Sequence, residues 1–306
     1  MALARRVFLR ASRSQWLARQ LKERAFLRRA ARRFLPGEDL GAALAEAANL
    51  GRAGLGSVLT QLGEQVTSHA EADAVRDHYL DVLGQIRARS LDAEISVKLT
   101  HLGLEAHEEA CFHRLRALVD RAAALGGFVW VDMEESRYVD ATLRLYRRAR
   151  AERATVGVCL QAYLRRTPDD LDSLLRLAPA IRLVKGAYSE SPAIAFPRKA
   201  EVDRQYAALA GRLLHQVPHG ARAVFGTHDL RLIRRLEVAA AERGVPPNGY
   251  EIHMLYGIRP EDQRALAARG RKVRVLISYG TAWFAWYMRR LAERPANLWF
   301  VLRSLV

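Results

Sequence analysis

The sequence has no apolar run approaching the roughly 18 uncharged residues that a membrane-spanning helix needs, which predicts a chain without such a span. Its basic start lacks the uninterrupted apolar stretch of a secretory signal peptide. Cysteine is scarce. The two present, Cys111 and Cys159, have neither zinc-site spacing nor a close partner, so free buried thiols in a reducing compartment are expected. Proline and glycine are scattered rather than clustered, and nothing marks a linker between domains. Acidic residues are nearly missing from one stretch: residues 1–35 carry eleven Arg or Lys against the single acid Glu23.

Across 306 residues, half are apolar and 27% charged, ordinary for a globular protein, but the formal net charge is +16. The N-terminal stretch carries much of that excess. Val7, Phe8, Trp16, Leu17, Leu21, Phe26 and Leu27 recur at roughly helical spacing until Pro36-Gly37 stops the pattern. We read residues 1–45 as a basic amphipathic helical arm. An anionic membrane surface, nucleic acid, or a solvated face packed on the body would each suit it. For nucleic acid, basic residues interleaved with stacking aromatics should continue into the body, and they do not.

After Glu38, amphipathic helical segments alternate with short Val- and Ile-rich runs. These are Ser57–Leu59, Glu94–Leu99, Phe128–Met133, Thr155–Gln161, Ile181–Lys185, Arg222–Thr227, Tyr250–Leu255 and Val273–Ile277. Short apolar runs alternating with helices imply βαβ units and a parallel sheet buried on both faces. Eight of them predict an α/β fold, a (β/α)8 barrel over residues 46–306. A doubly wound open sheet is the alternative, but it wants a Gly-rich phosphate turn after its first strand. Gly51, Gly54 and Gly56 have the wrong order and precede the run.

Each run ends in polar residues. In chain order they are Glu64 just past the first run, Lys98, Asp132 to Glu135, Gln161 with Tyr163, the Arg182–Tyr188 stretch, Thr227-His228-Asp229, His253 to Tyr256, and Ser278-Tyr279-Gly280. On a (β/α)8 barrel such ends converge on the C-terminal face, where active sites lie. The stretch Ile181 to Tyr188 is the oddest, because Arg182 and Lys185 sit in and at the end of a core strand. Burying a guanidinium without a partner costs several kcal/mol. Either acids from neighbouring strands pair with these cations, or a negative or electron-rich ligand does. Past the last run, Trp283, Trp286 and Arg290 share one helical face, and Arg289 can reach Glu293. Adjacent arginines there suit a substrate carboxylate, although a surface Arg–Glu pair beside core tryptophans is the plainer reading.

Several chemistries fit these residue types. A Schiff-base aldolase would use Lys98 or Lys185, which would need desolvation. A metal-dependent hydrolase would draw on Asp132, Glu134, His228 and His253, but the HxH pair usual at a barrel's first strand is missing, so no metal is expected. A cofactor enzyme would lay a flavin or nucleotide across the strand ends, with Arg182 and Lys185 offsetting its negative charge. The surplus of cations favours the last.

The segments Ser96-Val97-Lys98-Leu99-Thr100, Asp132-Met133-Glu134, Leu160-Gln161-Ala162-Tyr163, Arg182 to Tyr188, Thr227-His228, Met254-Leu255-Tyr256-Gly257 and Arg289 to Pro295 together resemble the proline dehydrogenase family, in order, from about Gly54 to the C-terminus. The resemblance implies a distorted (β/α)8 barrel that oxidises L-proline to Δ1-pyrroline-5-carboxylate by hydride transfer to FAD N5. It further implies a membrane quinone as electron acceptor, and such an acceptor gives the cationic amphipathic arm a role on the inner face of the membrane, with the protein expected in the cytoplasm.

By the same resemblance, Arg289 and Arg290 bind the proline carboxylate with Lys98 assisting, Arg290 also reaches the cofactor, and Asp132 is the acid near the substrate. Tyr188 and Leu255 wall the pocket, and Arg182 lies beside the flavin N5. Gln161, Val184, Lys185, Gly186, Ala187, Thr227 and His228 touch the flavin. Glu64 pairs with the first arginine of the Arg-Arg motif and closes the site.

The chain also departs from that pattern. Where the family has Arg-Val-Tyr-x-Pro-Tyr-Gly, this chain has Arg274-Val275-Leu276-Ile277-Ser278-Tyr279-Gly280, so Leu276 replaces a tyrosine that flanks the substrate ring. Trp286 stands for a tyrosine, Thr60 for an acid and His253 for a glutamine. Loss of the tyrosine enlarges the pocket and removes a hydroxyl, which predicts weaker selectivity for proline over hydroxyproline or a larger cyclic amino acid.

Overall fold

A computed structural model describes residues 33–283. Helix α1 (Leu40–Arg52) precedes a closed barrel of parallel strands in chain order: β1 (Gly56–Gln61), β2 (Ala93–Val97), β3 (Val129–Val131), β4 (Val156–Gln161), β5 (Ala180–Val184), β6 (Arg222–Gly226), β7 (Glu251–Leu255) and β8 (Lys272–Tyr279). The connecting helices are α2 (His69–Ala88), α3 (Glu108–Leu125), α4 (Val139–Glu152), α5 (Thr167–Leu175), α6 (Lys199–His215), α7 (Leu230–Ala241) and α8 (Pro260–Ala268). The (β/α)8 expectation holds, and each predicted run overlaps its strand. Strand β1 is longer than the predicted run Ser57–Leu59, because Gly56, Thr60 and Gln61 also pair with β8.

Alternate residues of each strand face outward and form the main core with the helices, as Leu59, Ile95, Val131 and Ile252 do. The inward set is filled in layers. Lowest is a charged layer: Arg222 bridges Glu94 (2.6 Å) and Glu251 (2.7 Å), and Arg274 reaches Glu251 (3.1 Å). Above it Val58, Trp130, Ala180 and Val224 make an apolar plug. Trp130 fills the axis only because Gly157 lies opposite, where a Cβ would stand 2.5 Å from the indole. Its Nε1 donates to Glu94 at 2.6 Å, tying plug to charged layer.

Helix α1, capped by Asp39 accepting from the Ala42 amide (2.8 Å), packs on β1 and β8, the outer slot that follows the last strand of a regular barrel. The division drawn at residue 45 falls inside this helix, and Phe34 and Leu35 ahead of it are already buried. Their segment crosses toward the strand-end face, where Gly257, at φ +74°, leaves no room for a Cβ beside the Arg33 carbonyl. Glu38 accepts from Trp283 Nε1 at 3.0 Å. The proposed arm helices, Trp286, Arg289 and Arg290 lie outside the described residues.

Candidate active site

The strand ends enclose a cavity of about 720 Å³ at the C-terminal mouth of the barrel. Glu64, Lys98, Asp132, Gln161 and Arg182 line it, with Val184, Lys185, Gly186, Ala187, Tyr188, Thr227, His228 and Leu255. Every predicted site residue within the described chain is therefore in one place.

Arg182 is the floor's anchor. Its side chain is buried, its Nη2 pairs with Asp132 and donates to Ser96 Oγ (2.8 Å), and Ser96 Oγ donates in turn to Asp132 Oδ1 (2.9 Å). Below it the Trp130 ring centre lies 5.1 Å from the guanidinium carbon. Asp132 is held because β3 is short and its amide continues the ladder to the Val97 carbonyl (2.9 Å). Arg182 Nη1 is buried and has no partner. The internal ion pair is therefore present on one nitrogen, and a donor is left over on the other.

Lys185 is half-buried between Asp203 of α6 (2.6 Å) and Asp229 (3.3 Å). Asp229 also caps α7, accepting from the Arg231 and Leu232 amides, so the helix start fixes the lysine's partner. The ion-paired surroundings of Lys185, and of Lys98 with Glu64 at 3.8 Å, are not the apolar pocket a Schiff-base lysine needs. Glu64 was expected to pair with Arg289, which lies outside the described residues.

Gly186 follows at φ +110°, and a Cβ there would run into the Tyr163 ring. On β6, a Cβ on Gly226 would meet Val184 Cγ1 at 2.7 Å, so this part of the floor is bare backbone. Gln161 donates through Nε2 to the Met133 carbonyl (3.3 Å), which leaves its buried Oε1 unpaired. His228 accepts the Leu255 amide at Nε2 (3.3 Å), which places its proton on Nδ1.

Beside Lys98, buried Glu134 accepts from both the amide (3.1 Å) and the hydroxyl (2.6 Å) of Thr100, tying the ends of β2 and β3. Burial, with only neutral donors in contact, pushes its carboxyl up to about 7. Burial and the Lys98 charge hold His101 down at about 4, and burial holds His253 at about 4. Both cysteines are buried and free, and burial raises both thiols, Cys111 to about 12.

Sequence reasoning missed the rim. Lys199, Arg231, Arg234 and Arg259 line the outer cavity. The i, i+3 spacing of Arg231 and Arg234 just past Thr227-His228-Asp229 was the available signal. It also missed the place of Cys159 in the cavity wall and the pairing of Thr60 with Ser278 across β1 and β8. Among the described residues, no helix is long and apolar enough to cross a membrane.

A closed parallel barrel with a cation-rich cavity at its strand ends defines a (β/α)8 enzyme. A family model described as Proline dehydrogenase matches residues 43–303. Proline dehydrogenase 1 of Bacillus subtilis subsp. natto is 38% identical over 304 residues, covering 99% of both chains. Its namesake from Bacillus subtilis (strain 168) gives the same identity and coverage. The crystal structure of proline utilization A (PutA) from Bdellovibrio bacteriovorus shares the fold, with TM-score 0.80 at 24% identity over 86% of this chain. The chain spans 32% of that larger protein. The chain belongs to the proline dehydrogenase family.

Proposed function

We propose that the chain oxidises L-proline to Δ1-pyrroline-5-carboxylate with a bound FAD and passes the electrons to a quinone. The observation that carries this reading is the pair of unpartnered buried polar atoms on the cavity floor, Arg182 Nη1 and Gln161 Oε1. They lie in a cavity that also presents bare backbone at Gly186 and Gly226 and cations at its rim.

These residues fit a flavin dinucleotide. Arg182, Gln161, Val184, Gly186, Ala187, Thr227 and His228 would hold the ring and its ribityl chain, and Lys185 with the rim arginines would face phosphate. When bound, FAD supplies the hydride acceptor. Arg182, fixed by Asp132 and Ser96, puts positive charge on the floor without any reorganisation, which favours negative charge developing above it.

On the other side of the mouth, Lys98 would assist Arg289 and Arg290 at the substrate carboxylate, Glu64 would close against Arg289, and Asp132 would face the ring amine. Arg290 would also reach the cofactor. Tyr188 and Leu255 would wall the pocket and help keep water out. The quinone reading gives the basic arm a role on an anionic bilayer, as a cytoplasmic protein peripheral on the inner face of the membrane.

The test is proline-dependent reduction of an artificial dye with the imino acid product identified by mass. Removing residues 1–32 should abolish binding to anionic vesicles while leaving dye reduction in solution. Loss of dye reduction, or binding undiminished, would count against the respective part. A second reading, relaxed selectivity toward other cyclic amino acids, is favoured by Leu276, which lines the cavity.

A further inference from the structure

Two hydroxyls on one wall of the cavity lack the partners their burial demands. Thr60 of β1 and Ser278 of β8 are register partners, and the alternation that turns Val58 into the barrel turns both inward. Both line the cavity and are buried, at 3% and 1% exposure. Neither Thr60 Oγ1 nor Ser278 Oγ has a hydrogen-bond partner. The Tyr79 hydroxyl behind Thr60 uses its proton on the Ser96 carbonyl (3.0 Å) and accepts the Gln61 amide (2.9 Å), so toward Thr60 it can only accept, and nothing among the described residues donates to Thr60 Oγ1. Leu276, two residues before Ser278 on the same inward face, adds no polar atom.

Buried hydroxyls are rarely left unpaired unless a ligand or water completes them. In the closed barrel, β8 and β1 stand opposite β4 and β5, which carry Gln161, Arg182 and Val184. The hydroxyl pair therefore lies on the side of the mouth shared with Lys98, just past the end of β2. Each hydroxyl both donates and accepts. A ligand group that does the same matches them better than a carboxylate, which only accepts, or an ammonium, which only donates.

We propose that Thr60 and Ser278 form a subsite for a hydroxyl on the ring of a cyclic amino-acid substrate, with Leu276 leaving room for it. This rests on the proline dehydrogenase reading of the same cavity.

The test compares kcat/KM for L-proline, trans-4-hydroxy-L-proline and cis-4-hydroxy-L-proline in the native enzyme, in Thr60→Val, in Ser278→Ala and in the double variant. One hydroxyproline should fall within about tenfold of proline in the native enzyme. The hydroxyproline-to-proline ratio should drop about 100-fold in the double variant, because a lost hydrogen-bond partner discriminates more than a lost methylene. The rise in melting temperature that hydroxyproline gives should shrink with it. Should the double variant not fold, Leu276→Tyr fills the same space and should lower the ratio by itself. Proline oxidation with both hydroxyprolines rejected more than about 100-fold would overturn the subsite alone. So would equal losses on all substrates, the result expected if the hydroxyls hold only water. No oxidation of any of them would overturn the proposed function and the subsite with it.

Discussion

Arg182 is paired with Asp132 through one nitrogen of its guanidinium while the other, Nη1, is buried without a partner. The pair spans three strands, β3 to β5, and Ser96 of β2 bridges it. Asp132→Asn would leave a buried cation with neutral partners. Breaking a buried pair costs about 3–5 kcal/mol, and partial solvent access at Asp132 should bring this to about 1–3 kcal/mol. The expected outcome is that loss of stability in urea together with at least a 100-fold fall in kcat/KM. Ser96→Ala removes one hydrogen bond and should cost about 1 kcal/mol. Equal effects of the two substitutions would contradict the arrangement.

The pH dependence of stability has two opposed contributions. Glu134 titrates at about 7 in the folded protein against an ordinary 4.5, so the folded state binds more protons between those values and stability falls as pH rises through them. His101 and His253 are held at about 4 against an ordinary 6.5, so the unfolded state binds more protons there and stability is lost as pH falls. His101 and His253, joined by His78, which burial also lowers, outweigh the one glutamate and give a net rise from pH 4 to about 6.5, then a shallow decline to about 7. Glu134→Gln removes the declining part, so unfolding free energies at pH 5 and pH 8 should differ from the native pattern by up to about 3 kcal/mol in the variant's favour at the higher pH. Parallel profiles would show that Glu134 ionises normally.

Gly186→Ala tests the bare backbone beneath the proposed cofactor. At φ +110° an alanine is strained, and its methyl meets the Tyr163 ring. Loss of more than about 1 kcal/mol of stability is expected, with weaker retention of flavin through gel filtration. Unchanged flavin retention would show that the β5 end tolerates a side chain.

The charged layer at the barrel's lower end is expected to act on stability. Glu94 accepts from Trp130 and pairs with Arg222, so Glu94→Gln leaves buried cations undercompensated and should cost about 3 kcal/mol. Tryptophan fluorescence should change with it, because Trp130 loses its fixed partner.

Much of this was legible in the sequence. The strand positions followed from period and composition, and the strand ends carried the site because a parallel barrel gathers them on one face. What stayed hidden were relations between strands. Asp132 and Arg182 were each conspicuous, but only barrel closure and register bring β3 and β5 within reach of one guanidinium. Thr60 and Ser278 belong to the first and last strands and meet only because β8 pairs with β1. The rim arginines Arg231 and Arg234 join the site only because the start of α7 lies beside the mouth.

The most direct measurement is an absorption spectrum of the purified protein under anaerobic conditions, before and after addition of L-proline. The proposed chemistry predicts the bands of an oxidised flavin, bleached by proline in proportion to the protein present. A protein without flavin bands, or one whose bands are unmoved by proline and by both hydroxyprolines, would contradict it.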